Sequence, residues 1–99
     1  MHVISKRKLR EFWEMHPDAR TPLSSWHKVA SKARWTKFAD VRVPYPHADQ
    51  VGKCIVFNIG GNKYRLIVII TRDWRRVLVR FVLTHKEYDR QKWQDDCVC

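Results

Sequence analysis

The spacing of hydrophobic residues changes along the chain, from a helical period in the first third to a strand period in the second half. Residues 2–4 predict a very short first strand. From Ser5, a candidate N-cap, Leu9, Phe12 and Trp13 fall at the i, i+3, i+4 spacing of one helix face. Pro17 is expected to end this helix, because proline cannot continue the backbone hydrogen bonding.

A second helix is predicted from Thr21 as its N-cap, with Pro22 at the first helical position. Its buried stripe would consist of apolar residues at helical spacing, namely Leu23, Trp26, Val29, Ala30 and Ala33. The two helices would form a hairpin. Their aromatic side chains are interpreted as core residues, which is simpler than a role in stacking on bases.

The second half predicts a small antiparallel sheet. Residues 34–53 form a predicted connecting loop with room for a short strand. Runs rich in Ile, Val and Phe then predict strands at 54–59, 63–71 and 76–84. Gly60-Gly61 predicts a two-residue hairpin turn, residues 72–75 form the second turn, and a helical pattern runs from His85 to Trp93. The predicted fold class is α+β: a short first strand, a two-helix hairpin, a three-stranded antiparallel meander and a C-terminal helix, with the helices on one sheet face.

Length and charge narrow the class of protein. The chain has 99 residues, 44% of them hydrophobic, which predicts a single domain over residues 1–99. Twenty Lys plus Arg against ten Asp plus Glu give a net charge of +10, more than solubility requires. A polyanion such as nucleic acid is therefore the expected partner. The alternative is an inert basic surface, or one neutralised by an acidic protein.

The cysteines and the absence of long apolar runs argue against a zinc protein, a secreted protein and a membrane protein. Cys97 and Cys99 are too close together for an ordinary disulfide, and three cysteines are too few for a tetrahedral zinc site. These cysteines with Cys54 and a histidine are the alternative metal set, but we expect no metal and no cofactor. Neither a signal peptide nor a membrane span is recognisable, so a cytoplasmic protein without a membrane partner is expected.

The alternation of side chains along strands predicts which polar residues share a sheet face. A two-residue first turn pairs Ile59 with Asn62, and a four-residue second turn pairs Arg65 with Val82. Helices would then cover the apolar face and leave a cationic face open as a groove. The alternative, a merely solvated strand face, fits Lys63 better than it fits arginines among apolar neighbours. The polar face would carry Asn58, Lys63, Arg65, Arg80 and Thr84.

The order of elements and the segments KCIVFNIGGNKYRLIVII (53–70) and VLVRFVLTHKEYDRQKW (77–93) resemble the HigB toxins, a branch of the RelE-like superfamily of bacterial toxin-antitoxin modules. The resemblance implies a ribosome-dependent messenger RNA endonuclease that a helix-turn-helix antitoxin, HigA, holds inactive. It also implies that operator DNA is bound only through the toxin-antitoxin complex. By this resemblance, Arg65, Arg80, His85 and Tyr88 fall on the family's motif positions.

The chemistry of RNA cleavage without a metal suits these residue types. The reaction needs a base for the ribose 2′-hydroxyl, positive charge at the phosphate and an acid for the leaving oxygen. His85 suits proton transfer because imidazole changes charge near neutral pH. Arg65 and Arg80 suit the phosphate because guanidinium bonds it bidentately. Tyr88, on the same helix side as His85, would stack on a base or donate a proton. Further RNA contacts are expected from Asn58, Lys63, Lys53 and Lys86.

Two function classes stay open: an endoribonuclease, and a non-catalytic nucleic-acid-binding regulator whose basic face contacts phosphates. The sequence has no helix-turn-helix signature and its basic cluster adjoins His85, which favours the enzyme. His85 would otherwise be a capping or core residue, and Glu87 would either orient it or face solvent. The antitoxin is expected to cover the groove with an acidic segment or to dock on the first helix, at Lys6, Arg7, Lys8 and Arg10.

Overall fold

The computed structural model describes residues 1–97 and has an α+β fold with a five-stranded mixed sheet. The strands are β1 (His2–Ile4), β2 (Asp49–Val51), β3 (Cys54–Ile59), β4 (Tyr64–Ile70) and β5 (Arg76–Thr84). The α-helices are α1 (Lys6–Met15), α2 (Arg20–Lys32), α3 (Phe38–Val41) and α4 (His85–Asp89), and 3₁₀ helices span Pro17–Ala19 and Lys92–Asp96. The strand order is β1-β5-β4-β3-β2, with β1 parallel to β5 and the other pairs antiparallel.

Both predicted N-terminal helices are confirmed, and Ser5 is the N-cap of α1 as predicted, whereas the start of α2 differs from the prediction. Ser5 has a left-handed backbone (φ 76°) and its side chain makes no capping hydrogen bond. Helix α2 begins at Arg20 directly after a 3₁₀ helix, so Thr21 and Pro22 lie inside its first turn. Proline is tolerated there because the first N–H groups of a helix have no intrahelical acceptor.

Within the described residues, no helix is long and apolar enough to cross a membrane.

The predicted two-residue hairpin turn is wrong. Ile59 pairs with Tyr64, which leaves a four-residue loop at residues 60–63. The two glycines and Asn62 all have positive φ (62°, 61° and 81°), and asparagine tolerates this region better than most residues. The register shift is two residues, so the sheet face of each side chain is unchanged and Asn58 pairs directly with Arg65.

A β-bulge at Arg80 shifts the register of β5 by one residue beyond Val79, so Arg65 does not pair with Val82 as predicted, whereas the pairs at Val77–Val79 follow the predicted register. Val79 pairs with Val68 and Phe81 pairs with Ile67, so Arg80 is an extra residue without a partner in β4. A bulge reverses the alternation beyond it. Thr84 therefore pairs with Tyr64 on the helix-covered face, contrary to the prediction. The uniformly apolar sequence around Arg80 gives no parity signal that would have revealed the bulge.

The two sheet faces carry separate cores. Helices α1 and α2 cover the first face, where Leu66, Val68, Val77 and Val79 are at most 2% exposed. The second face holds a smaller cluster of Cys54, Val56, Ile67, Trp93 and Cys97. A disulfide joins Cys54 to Cys97.

The prediction that the second face is an open groove is therefore wrong at its centre. The 3₁₀ helix Lys92–Asp96 lies over it, because Gln91 adopts a left-handed backbone (φ 60°) and ends the predicted 85–93 helix early.

Candidate active site

A capping box fixes the first turn of α4 at the end of β5. The Thr84 hydroxyl accepts from the Glu87 amide (3.2 Å), and the Glu87 carboxylate accepts from the Thr84 amide (3.0 Å). The His85 amide also donates to the Lys63 carbonyl in the β3–β4 loop (3.2 Å). These bonds hold His85 beside the loop that precedes Arg65.

The His85 imidazole forms a pair with Asp89, one helical turn later. Its Nδ1 lies 3.0 Å from the Asp89 carboxylate, and the His85 side chain is 55% exposed. A histidine whose Nδ1–H donates to a carboxylate presents Nε2 as the free acceptor. Glu87 does not orient His85, because it is committed to the capping box, and Asp89 holds that position instead.

Arg65 lies over the ring of Tyr88, with its guanidinium carbon 5.2 Å from the ring centroid. Its Nη1 group donates to the carbonyls of Asn62 (3.0 Å) and Tyr64 (3.1 Å). Tyr88 stacks in turn on Trp93, with the ring centroids 4.9 Å apart, and the Trp93 indole donates to the Tyr88 carbonyl. The guanidinium is thus held in place through one nitrogen, while its other donors have no hydrogen-bond partner among residues 1–97.

Arg80 belongs to a different part of the same face. Its guanidinium pairs with Asp96 at 2.8 Å, and both side chains are about 40% exposed. Its Nε–H is buried and has no acceptor among the described residues. Because Arg65 pairs with Leu83, Arg80 lies three residues farther along β5, roughly 10 Å from that pair. The structure therefore brings Arg65, His85 and Tyr88 together but not Arg80.

The four predicted RNA-contacting residues are also dispersed. Asn58 is exposed and adjacent to Arg65 across the β3–β4 pair, and Lys86 is exposed on α4. Lys63 pairs with Asp18 at 3.2 Å, toward the helices. Lys53 precedes β3 at the end opposite Asn58, roughly 16 Å along the strand.

Hydrogen bonding near the β3–β4 loop shifts two ionisation equilibria. The Tyr64 hydroxyl donates to Asp18 at 2.6 Å. This hydrogen bond, with a second from Lys63, lowers the pKa of Asp18. The hydrogen bond to the Asp18 carboxylate also raises the pKa of Tyr64. The pair ties the 3₁₀ helix Pro17–Ala19 to the strand that carries Arg65, so it supports the site without facing it.

Sequence reasoning missed three features of this face: the Asp89 partner of His85, the Asp96 partner of Arg80, and the Cys54–Cys97 bond. Only Asp89 had a local signal, since it follows His85 at the i, i+4 spacing of a helix. The disulfide also joins two members of the alternative metal set, and Cys99 lies outside the described residues. Among residues 1–97 no group of three or more His, Cys, Asp or Glu side chains is placed to hold a metal ion.

Comparison with known proteins identifies the family. The family model for HigB toxins, described as the RelE-like toxic component of a toxin-antitoxin system, matches residues 19–91. This chain therefore belongs to the HigB family of RelE-like toxins, which confirms the resemblance seen in the sequence. The match spans α2, strands β2 to β5 and α4, so it includes Arg65, Arg80, His85, Tyr88 and Asp89 of the candidate site.

Named relatives are similar over most of the chain. The mRNA interferase toxin HigB of Escherichia coli strain K12 is 30% identical over 92 residues, which cover 90% of this chain and 88% of the relative. The mRNA interferase HigB of Shigella flexneri gives the same values. The mRNA interferase HigB of E. coli O6:H1 strain CFT073 is 29% identical over 93 residues, or 91% of this chain and 90% of the relative.

Proposed function

We propose that this toxin is a ribosome-dependent mRNA interferase, an endoribonuclease that acts in the cytoplasm without a metal or other cofactor. The relatives' names support mRNA as the substrate. The observation that carries the proposal is the placement of Arg65 over Tyr88, next to the exposed His85–Asp89 pair. Permanent positive charge and a proton-transfer group are thus adjacent on the surface of a chain with net charge +10.

The reaction is an attack of the ribose 2′-oxygen on the adjacent phosphorus. His85 Nε2 accepts the 2′-hydroxyl proton, and Asp89 stabilises the imidazolium that forms. Arg65 neutralises the charge that develops on the phosphate oxygens. The bond to the 5′-oxygen breaks as that oxygen takes a proton, for which the Tyr88 hydroxyl is our candidate donor. The products are a 2′,3′-cyclic phosphate and a 5′-hydroxyl end.

The remaining predicted residues bind RNA farther from the cleaved bond. Arg80, displaced along β5, binds a neighbouring phosphate in place of Asp96. Asn58 and Lys86 flank the site and contact the adjacent nucleotides. Lys63 leaves its ion pair with Asp18 and binds a phosphate of the RNA. Lys53 contributes only to the nonspecific electrostatic attraction of the RNA.

The antitoxin in this proposal is a HigA-like helix-turn-helix protein, through which the complex contacts operator DNA. Two docking surfaces remain candidates, the active-site face and helix α1. The basic side chains of α1 are exposed, and Met15 at its end is 79% exposed. Lys8 of this helix donates to the Arg80 carbonyl (3.3 Å), so the two surfaces are contiguous and one partner can cover both.

Reporter transcripts test the ribosome dependence. The toxin is induced in cells that carry two versions of one reporter, identical except that the second has its start codon removed. We expect new 5′ ends inside the reading frame of the translated reporter only, because the ribosome must present the mRNA. Equal cleavage of both reporters would contradict ribosome dependence, and cleavage of neither would contradict the nuclease.

A further inference from the structure

A cavity on the second sheet face has no role in the reaction described above. Its volume is about 230 Å³, and its lining residues are Phe81, Leu83, Glu87, Arg90, Lys92 and Trp93. Pockets for drug-sized ligands usually measure about 300–1,000 Å³. This cavity is smaller, and its size suits a single planar ring system.

The cavity lies between the two arginines assigned to phosphates. Leu83 pairs with Arg65 across β4, and Phe81 directly follows Arg80 in β5. Arg80 lies over the Phe81 ring, 5.9 Å from its centroid. In RNA each nucleoside has one phosphate on its 5′ side and one on its 3′ side. A base inserted between Phe81 and Leu83 would therefore direct these phosphates toward the two guanidinium groups.

The lining has an apolar interior and a polar rim. Phe81 is partly exposed and offers an aromatic surface, while Leu83 and the nearly buried Trp93 (4% exposed) form the rest of the apolar wall. Aromatic side chains are the usual stacking partners of unpaired bases. Arg90 and Lys92 at the rim are exposed cations, which favour a ligand attached to a phosphate backbone over a neutral one.

Two rim groups limit which base fits best. One carboxylate oxygen of Glu87 accepts from the Thr84 amide, and the other remains an acceptor for N–H groups of a ligand. Arg90 supplies only donors. Guanine matches both, because it has N–H donors on its Watson–Crick edge together with the O6 and N7 acceptors that arginine binds bidentately.

We propose that this cavity is a nucleobase pocket that receives a guanine next to the bond that is cut. This proposal rests on the proposed nuclease function, because the pocket would give that nuclease a preference for one base. The binding itself does not require cleavage. It can therefore be measured with RNA that cannot react.

Calorimetry on the full chain with short 2′-O-methyl oligonucleotides measures binding without cleavage, because the blocked 2′-oxygen cannot attack the phosphorus. An all-uridine oligonucleotide is compared with one that carries a single central guanosine. We expect the guanosine oligonucleotide to bind roughly tenfold tighter or better, because guanine, unlike uracil, matches both the Glu87 acceptor and the Arg90 donors. Equal affinities would overturn the proposal, whether or not the protein cleaves mRNA.

Two variants test whether the guanosine preference comes from the cavity. Glu87→Gln keeps the capping box, which accepts glutamine at this position, but replaces a pure acceptor with a group that both donates and accepts. Phe81→Leu keeps an apolar wall and removes the ring. Both should reduce the guanosine preference to a few-fold or less. The charge-matched control is Glu14→Gln on α1, where the exposed carboxylate lies away from the cavity.

The outcome in these variants decides the assignment. A guanosine preference lost in Glu87→Gln and Phe81→Leu but kept in Glu14→Gln supports the pocket. An unchanged preference in the two pocket variants overturns it. So does an unchanged RNA affinity combined with weaker antitoxin binding in the same variants, because the cavity would then belong to the protein interface.

Discussion

The two faces of the sheet differ: one carries the main hydrophobic core, and the other carries the proposed active site. On the first face, α1 and α2 cover a continuous apolar layer, and Leu66, Val68 and Val77 are fully buried. On the second face, a 3₁₀ helix and one disulfide cover only the centre. The uncovered margin of that face holds Arg65, Arg80 and the cavity.

Strand β4 shows the division at the level of single residues. Leu66 points to the first face and Ile67 to the second, and both are completely buried. Arg65, one position earlier, shares the second face but is only partly buried. Strand β4 thus contributes to both cores and also positions Arg65, the proposed phosphate-binding residue. Changes on its two sides should therefore affect different measurements.

The largest expected effect is on stability and comes from the first face. Leu66→Ala should lower the free energy of unfolding by about 2–5 kcal/mol, because it removes buried methylene contacts and leaves a cavity. Urea denaturation measures this loss. RNA affinity per folded molecule should stay near the wild-type value, since Leu66 faces away from Arg65. A small stability loss accompanied by a large loss of RNA affinity would break the proposed division.

A smaller effect is expected from the ion pair on the second face. Asp96→Asn removes the carboxylate that competes with phosphate for Arg80, so it should strengthen RNA binding by a few-fold. The affinity should also fall more steeply with salt, by about one further unit of slope, because Arg80 releases one more counterion. Binding of the uncleavable oligonucleotides over a salt series measures both.

The control for this experiment is the neighbouring residue. Asp95→Asn makes the same change in charge at an exposed carboxylate that has no ion pair with Arg80. If the two variants behave alike, the effect is general electrostatics and Arg80 has no specific role in binding phosphate.

The sequence was sufficient for most of the fold because the strong patterns lie in its most regular elements. The bounds of β3 and β5 and the α+β class are confirmed, since runs rich in Ile, Val and Phe are typical of strands. The register was not predictable. The loop at residues 60–63 depends on a left-handed asparagine, and the bulge at Arg80 interrupts a run that is apolar on both faces.

The site was predictable only as a set of residue types. The family motif identified His85, Arg65 and Tyr88, and the structure places these three together. The motif could not reveal the ion pair of Arg80 with Asp96, because that pair depends on the turn at Gln91. It could not reveal the Cys54–Cys97 disulfide either, because the two cysteines are 43 residues apart in the sequence. Long-range contacts of this kind follow from tertiary packing, which local sequence patterns do not encode.

Mapping the 5′ ends of cellular transcripts after induction tests the central claim that the His85 site cuts mRNA. The wild-type protein and a control variant, His2→Ala in the distant strand β1, should produce new ends inside reading frames. His85→Ala should reduce them by on the order of 100-fold with the fold intact, because the proton acceptor is lost. Undiminished cleavage by His85→Ala would contradict the account, and loss of cleavage in both variants would show that the effect is not specific to the site.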